Sequence, residues 1–115
     1  MNDPESIAVD ISFLEDGVLL APKGEIDLSR SPALRQTITR VQEDRPRRLV
    51  IDLSGVPYMD SSGVATLIEA MRTAQESDGQ LIICGLQDKV RSIFEIARLD
   101  MVFTIAETCE EAVST

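Results

Sequence analysis

Leu49-Val50-Ile51-Asp52-Leu53 leads through a short polar stretch to Asp60-Ser61-Ser62-Gly63 and then to Val64, Leu67, Ile68 and Met71, and this succession decides the fold. The first segment is a short apolar run of the kind that forms an interior strand. The last four residues recur at helical spacing. The tetrapeptide between them therefore occupies a strand-to-helix junction, at the positive end of a helix dipole. The first backbone N–H groups of a helix have no intrahelical acceptor, so such a junction can hold an anion, including a phosphate. Serine in this place reads in three ways: a helix cap, a nucleophile or a phosphorylation switch.

Outward from this junction the chain keeps the same alternation. On the N-terminal side, Ile7, Val9, Ile11 and Phe13 alternate with polar or small residues, which predicts a half-buried strand. Asp16-Gly17 is a hairpin signal, and Val18 to Ala21 continue as a second strand, antiparallel to the first. Pro22 marks an irregularity or an edge before Gly24-Glu25-Ile26-Asp27. Ser31-Pro32 reads as an N-cap followed by a first-turn proline, with Leu34, Ile38 and Val41 on one helical face. Pro46 closes that helix before a strand at 48–53.

On the C-terminal side the helix is expected to span about 61–76 and to stop at Ser77-Asp78-Gly79, before a strand at 80–84. Val90, Ile93, Phe94 and Ala97 define a third helix, and Val102 to Ile105 a last strand. Thr108 and Glu111 have capping-box spacing for a short terminal helix carrying Ala112 and Val113. Helices of this length between strands imply parallel pairing through crossovers. The predicted fold is α/β: a mostly parallel mixed β-sheet with an antiparallel N-terminal strand and about four helices. One domain is expected to occupy residues 1–115, without repeats or linkers.

Composition excludes several functions. Hydrophobic residues make up 43% of the chain but aromatics only 3%, so the core is aliphatic and stacking platforms for nucleic acid are scarce. Twenty acidic residues against eleven basic ones give a formal charge of −9. That field repels polyanions, and Arg45, Arg47 and Arg48 form only a small local cluster. DNA, RNA and anionic membranes are therefore poor partners, whereas a basic protein surface is a good one. The absence of histidine removes a Ser-His-Asp triad, a histidine metal ligand and a histidine phosphocarrier. Cys84 and Cys109 fall in separate elements without metal-ligand spacing, and Cys84 in Leu81-Ile82-Ile83-Cys84 reads as a buried small hydrophobe. A reducing compartment is the simplest reading. Nothing in Met1-Asn2-Asp3-Pro4-Glu5 resembles a signal peptide, so a cytoplasmic location is expected. No motif announces a cofactor or a metal.

The candidate chemistry centres on the junction. Asp and Ser are preferred N-caps, which gives Asp60-Ser61-Ser62-Gly63 a purely structural reading. Capping alone does not explain two serines followed by a glycine, which would keep the first turn small and open to an approaching group. A nucleophilic serine needs a base, and only Lys23 and Lys89 stand in for the missing histidine. Phosphate acceptance needs no base of its own, since a partner kinase brings the base and ATP. Phosphate on Ser61 would sit where the dipole favours it and would block docking on that loop. Asp52, on a buried strand, has a competing phospho-acceptor reading like that of a two-component receiver domain. Such domains hold magnesium on an acidic pair after the first strand, whereas here the first strands feed a hairpin, and Asp52 can instead satisfy nearby backbone groups. Asp27 either closes the loop leading to Ser31 or stands at the rim of the Ser61 site. Leu86, Gln87 and Asp88 occupy a third loop of the same kind.

Taken in order, Gly24-Glu25-Ile26-Asp27, Leu49-Val50-Ile51-Asp52-Leu53-Ser54, Met59-Asp60-Ser61-Ser62-Gly63 and Gly85-Leu86 resemble the STAS domain, and more narrowly the bacterial anti-sigma factor antagonists. The resemblance covers nearly the whole chain and implies a single STAS domain that binds rather than catalyses. It implies an unphosphorylated form that binds an anti-sigma factor which is also a serine kinase, releasing a sigma factor. It also implies phosphorylation of Ser61 by that kinase with ATP, and reversal by a serine phosphatase. Asp27, Asp60, Ser62, Gly63 and the loop Leu86-Gln87-Asp88 would then support the phosphosite or the docking surface. No direct contact with nucleic acid or membrane is implied. Another role for the same domain is the alternative: a scaffold, a ligand sensor or a soluble component of a transport system. Two positions depart from the family pattern. Ala65 stands where a second small glycine is common, and Arg98-Leu99-Asp100 where a glycine often ends the third helix, losing a favourable left-handed cap.

Overall fold

The fold is seen in a computed structural model, which describes residues 6–114. The expected domain limits of 1–115 thus extend a few residues beyond the described ones. The strands are β1 (Ala8–Phe13), β2 (Gly17–Lys23), β3 (Arg48–Asp52), β4 (Gln80–Cys84) and β5 (Thr104–Ala106). The helices are α1 (Ser31–Gln42), α2 (Ser61–Glu76), α3 (Asp88–Ile96) and α4 (Cys109–Ser114). The five strands form one sheet in the order β1-β2-β3-β4-β5, with β1 antiparallel to β2 and every other pair parallel. Among the described residues, no helix is long and apolar enough to cross a membrane.

The central strands are apolar on both faces because both faces are covered. Leu49, Ile51, Leu81 and Ile83 point into the main core with Val18 and Leu20, beneath Leu34 and Ile38 of α1, Leu67 and Ala70 of α2, and Val90 and Phe94 of α3. Val50, Ile82, Cys84 and Ala106 point to the opposite face, where α4 seats Ala112. Pro22 lies beyond Leu20, the last β2 residue paired with β3, so its missing N–H interrupts no ladder on that side.

Four expectations need correction. The alternation in β1 is real, but burial follows it only at the N-terminal end: Ile7 and Val9 pack on the core, while Ile11 and Phe13 are 45% and 82% exposed because β1 is an edge strand that outruns its cover. Ser31 is not the cap of α1. It is the first helical residue and is buried, and the turn before it is closed by Asp27. The last strand begins at Thr104 rather than Val102, because Leu99–Met101 form a 3₁₀ turn and Phe103 turns into the core against Phe94, ring centroids 5.6 Å apart. Finally, the left-handed turn after α3 is not lost without glycine: Arg98 itself adopts it, at φ 59°. The terminal cap is as expected, with the Glu111 N–H donating to the Thr108 hydroxyl at 3.1 Å.

Candidate functional site

The parallel strands deliver their C-terminal ends, and the loops that follow, to one end of the sheet. There the loop after β2 and the loop after β3 are laced together. Ile26 and Met59 form an isolated parallel bridge, the Asp60 N–H donates to the Ile26 carbonyl at 3.1 Å, and the Ile26 N–H donates to the Tyr58 carbonyl at 3.0 Å. The Leu28 N–H adds a bond to Asp60 Oδ2 at 3.0 Å. Asp27 and Ser61 therefore belong to one rim, as the order of the elements suggested.

Each carboxylate at this rim organises its own turn. Asp27 Oδ1 accepts the backbone N–H groups of Ser29 and Arg30, both at 3.1 Å, and the Ser29 hydroxyl at 2.7 Å. The Ser29 hydroxyl, with those N–H groups, holds the Asp27 carboxyl below the usual range. Asp60 is the N-cap of α2, with Oδ1 accepting from the Ser62 N–H at 2.9 Å and the Gly63 N–H at 3.3 Å. The Ser62 hydroxyl donates to the same oxygen. That hydroxyl bond first, and then the backbone N–H groups, lower the pKa of Asp60 and keep it ionised.

This arrangement separates the two serines. Ser62 is half-buried and its hydroxyl is tied to Asp60. Ser61 is exposed on the first turn, and its hydroxyl has no partner among the described residues. It also revises the anion-site expectation. The N–H groups of Ser62, Gly63 and Val64 do not point unbonded to solvent, since the Asp60 side chain and carbonyl take them. Gly63 likewise faces inward rather than keeping the surface open: a Cβ there would stand 2.5 Å from Met59 Cγ and 2.8 Å from Ile26 Cγ2. Its role is close packing of the helix start on the loop beneath it.

The third loop joins through one bond, Gln87 Nε2 to the Ser54 carbonyl at 2.7 Å. Gln87 and Asp88 are exposed, but Leu86 is 9% exposed and belongs to the main core, so it supports the rim from below. Asp52 satisfies backbone, accepting the Ser54 N–H at 2.9 Å. Two features escaped sequence reading. A shallow groove beside Ser61 is lined by Tyr58, Val64, Ile93, Ala97 and Leu99. The placement of Tyr58, the chain's one tyrosine, two residues before Asp60 was the available signal. The other feature lies on the opposite face, where Asp52, Cys84 and Cys109 converge despite their separation in sequence. Burial there raises the Cys84 thiol to about 12 and raises Cys109 as well.

Comparison with known proteins agrees with this fold. Residues 8–112 match the family described as STAS domain. An anti-sigma-B factor antagonist from Staphylococcus aureus is 30% identical over 87 residues, covering 76% of this chain and 81% of that protein. The crystal structure of an anti-sigma factor antagonist from Mycobacterium paratuberculosis superposes with a TM-score of 0.87 at 28% identity, covering 99% of this chain and 97% of the other. The Bacillus cell fate determinant SpoIIAA in its phosphorylated form shares the fold, with a TM-score of 0.72 at 23% identity over 93% of this chain and 97% of that one.

Proposed function

We propose that this chain, which belongs to the STAS domain family, is an anti-sigma factor antagonist whose binding is switched by phosphorylation of Ser61. The observation that carries this reading is the inequality of the two serines. The Ser61 hydroxyl is exposed and uncommitted at the start of α2, while that of Ser62 is engaged by the capping aspartate. The names of the relatives from S. aureus and M. paratuberculosis support the partner class. The partner is an anti-sigma factor that is also a serine kinase, and a serine phosphatase restores the binding form. The chain is the substrate in both steps and works in the cytoplasm, without contact to nucleic acid or membrane.

The geometry also favours one mode of switching. Because Asp60 already holds the first-turn N–H groups, a phosphate on Ser61 would project from a finished cap and leave the helix start in place. It would add about two negative charges to a surface that is already acidic. Its effect falls on the partner, through repulsion and desolvation at the interface, and the groove from Tyr58 to Leu99 with the exposed Gln87 and Asp88 is the adjoining docking surface.

Incubation with the cognate kinase and ATP, followed by mapping of the phosphosite, tests this directly. Modification is expected on Ser61 alone. Ser61→Ala is expected to abolish it while retaining binding, and Ser61→Asp to weaken binding. Phosphate on Ser62, or equal binding by the Ser61→Asp variant and the parent, would refute the assignment.

A further inference from the structure

On the face of the sheet away from the Ser61 rim, three potential metal ligands come together from three elements. Asp52 ends β3, Cys84 ends β4 as its register partner, and Cys109 begins α4. One carboxylate oxygen and the two sulfurs lie within 4.8 Å of one another. We propose that Asp52, Cys84 and Cys109 form a binding site for a thiophilic divalent cation of the zinc class, which ties α4 to the sheet.

The geometry needs little adjustment. Around a tetrahedral ion with Zn–S bonds of about 2.3 Å, neighbouring sulfurs stand roughly 3.8 Å apart, so the observed spacing closes by about 1 Å at most. Asp52 and Cys84 are fixed side by side by the β3–β4 ladder, and the Leu53 N–H bond to the Cys84 carbonyl at 2.9 Å extends that pairing. Cys109 is the first residue of the six-residue α4. Gly85, at φ +72°, keeps the space clear, since a Cβ there would stand 2.6 Å from Asp52 Oδ1. Asp52 spends one acceptor position on the Ser54 N–H and takes part in neither the Arg35–Glu69 nor the Arg48–Asp16 ion pair. Cys84 is fully buried while Cys109 is half-buried, so the ion would enter from the α4 side and keep a fourth position for water.

The carboxylate distinguishes this reading from a disulfide between the same cysteines. Disulfide formation runs through a thiolate, and an adjacent carboxylate opposes that charge. A dication reverses the sign, because two thiolates and a carboxylate then converge on two positive charges. Sequence spacing does not reveal the site, since its ligands are adjacent only across the sheet.

The test is a titration of the purified, reduced, metal-free chain with Co2+, followed by Zn2+. One equivalent of Co2+ is expected to give a thiolate-to-metal charge-transfer band in the near ultraviolet, and one equivalent of Zn2+ to abolish it. Cys109→Ser and Asp52→Asn are each expected to weaken Zn2+ binding at least about tenfold, since even groups outside the ligand set alter affinity by about 10- to 100-fold. Absence of the band from the unmodified chain, or equal Zn2+ affinity in the Cys109→Ser variant, overturns the proposal. Because the band is read on the unmodified chain, the outcome does not depend on a variant that folds poorly. It is also separate from Ser61, whose phosphorylation is scored independently.

Discussion

Replacing Asp60 tests the account of the Ser61 rim most directly, because one side chain accepts from three backbone N–H groups and a hydroxyl. In Asp60→Ala the N-cap of α2 is lost, which costs about 0.5–2 kcal/mol. The Leu28 N–H loses its acceptor as well, but it is exposed and water replaces most of that bond, adding below about 1 kcal/mol. The expected destabilisation is therefore about 2 kcal/mol. With a urea dependence of about 1.5 kcal/mol per molar, the unfolding midpoint falls by roughly 1.3 M. Asp60→Asn retains an oxygen for the Ser62 and Gly63 N–H groups but presents an amide to Leu28, so it is expected to fall between the parent and the alanine variant. The acid dependence follows from the lowered pKa of Asp60. Its contribution is fully present above the unfolded value of about 3.9 and is lost as pH falls through the lower folded value. The gap between parent and Asp60→Asn is thus expected to be constant near neutrality and to narrow below about pH 4. An alanine variant within about 0.3 M of the parent midpoint, or an asparagine variant no better than alanine, would refute the capping argument.

Other positions give independent checks. Gly63→Ala forces a methyl into the contact with Met59 and Ile26, and after the gain in helix propensity a net loss of about 1–2 kcal/mol is expected in chemical denaturation. Arg98→Gly relieves a left-handed residue at φ 59° but loosens the unfolded chain, so a net gain of about 0.5 kcal/mol and a melting temperature higher by roughly 2 °C are expected. Arg48→Met removes donors to the Ala112 and Val113 carbonyls, at 3.2 and 2.6 Å, and to Asp16 at 2.8 Å. It is expected to cost about 2 kcal/mol and to speed hydrogen exchange in α4 ahead of the central strands.

The order and kind of the elements were legible because each was written by adjacent residues. The apolar run at Leu49–Leu53, the helical spacing from Val64 to Met71 and the stop at Ser77-Asp78-Gly79 all act within one element. The limits of α2 and β4 agree with that reading. Disagreements arose where an element answers to distant partners. Ser31 looks like a cap, yet Asp27 closes the turn before it, on a loop that the Ile26–Met59 bridge holds against the start of α2. Val102 and Phe103 are apolar enough for a strand, but Phe103 is drawn into the core by Phe94.

By itself the sequence determined an α/β sheet with an antiparallel start, an aliphatic core and a serine-rich helix start after its central strand. Residue type and spacing set those features, and both are local properties. Only the tertiary structure decided which serine is free, because Asp and Ser are both good caps and the choice of Asp60 depends on its bonds to Leu28 and to the first turn of α2. The groove beside Ser61 and the meeting of Asp52, Cys84 and Cys109 are also tertiary facts. They join residues that share a face or an edge only after the sheet has paired, and no spacing along the chain encodes such a distance.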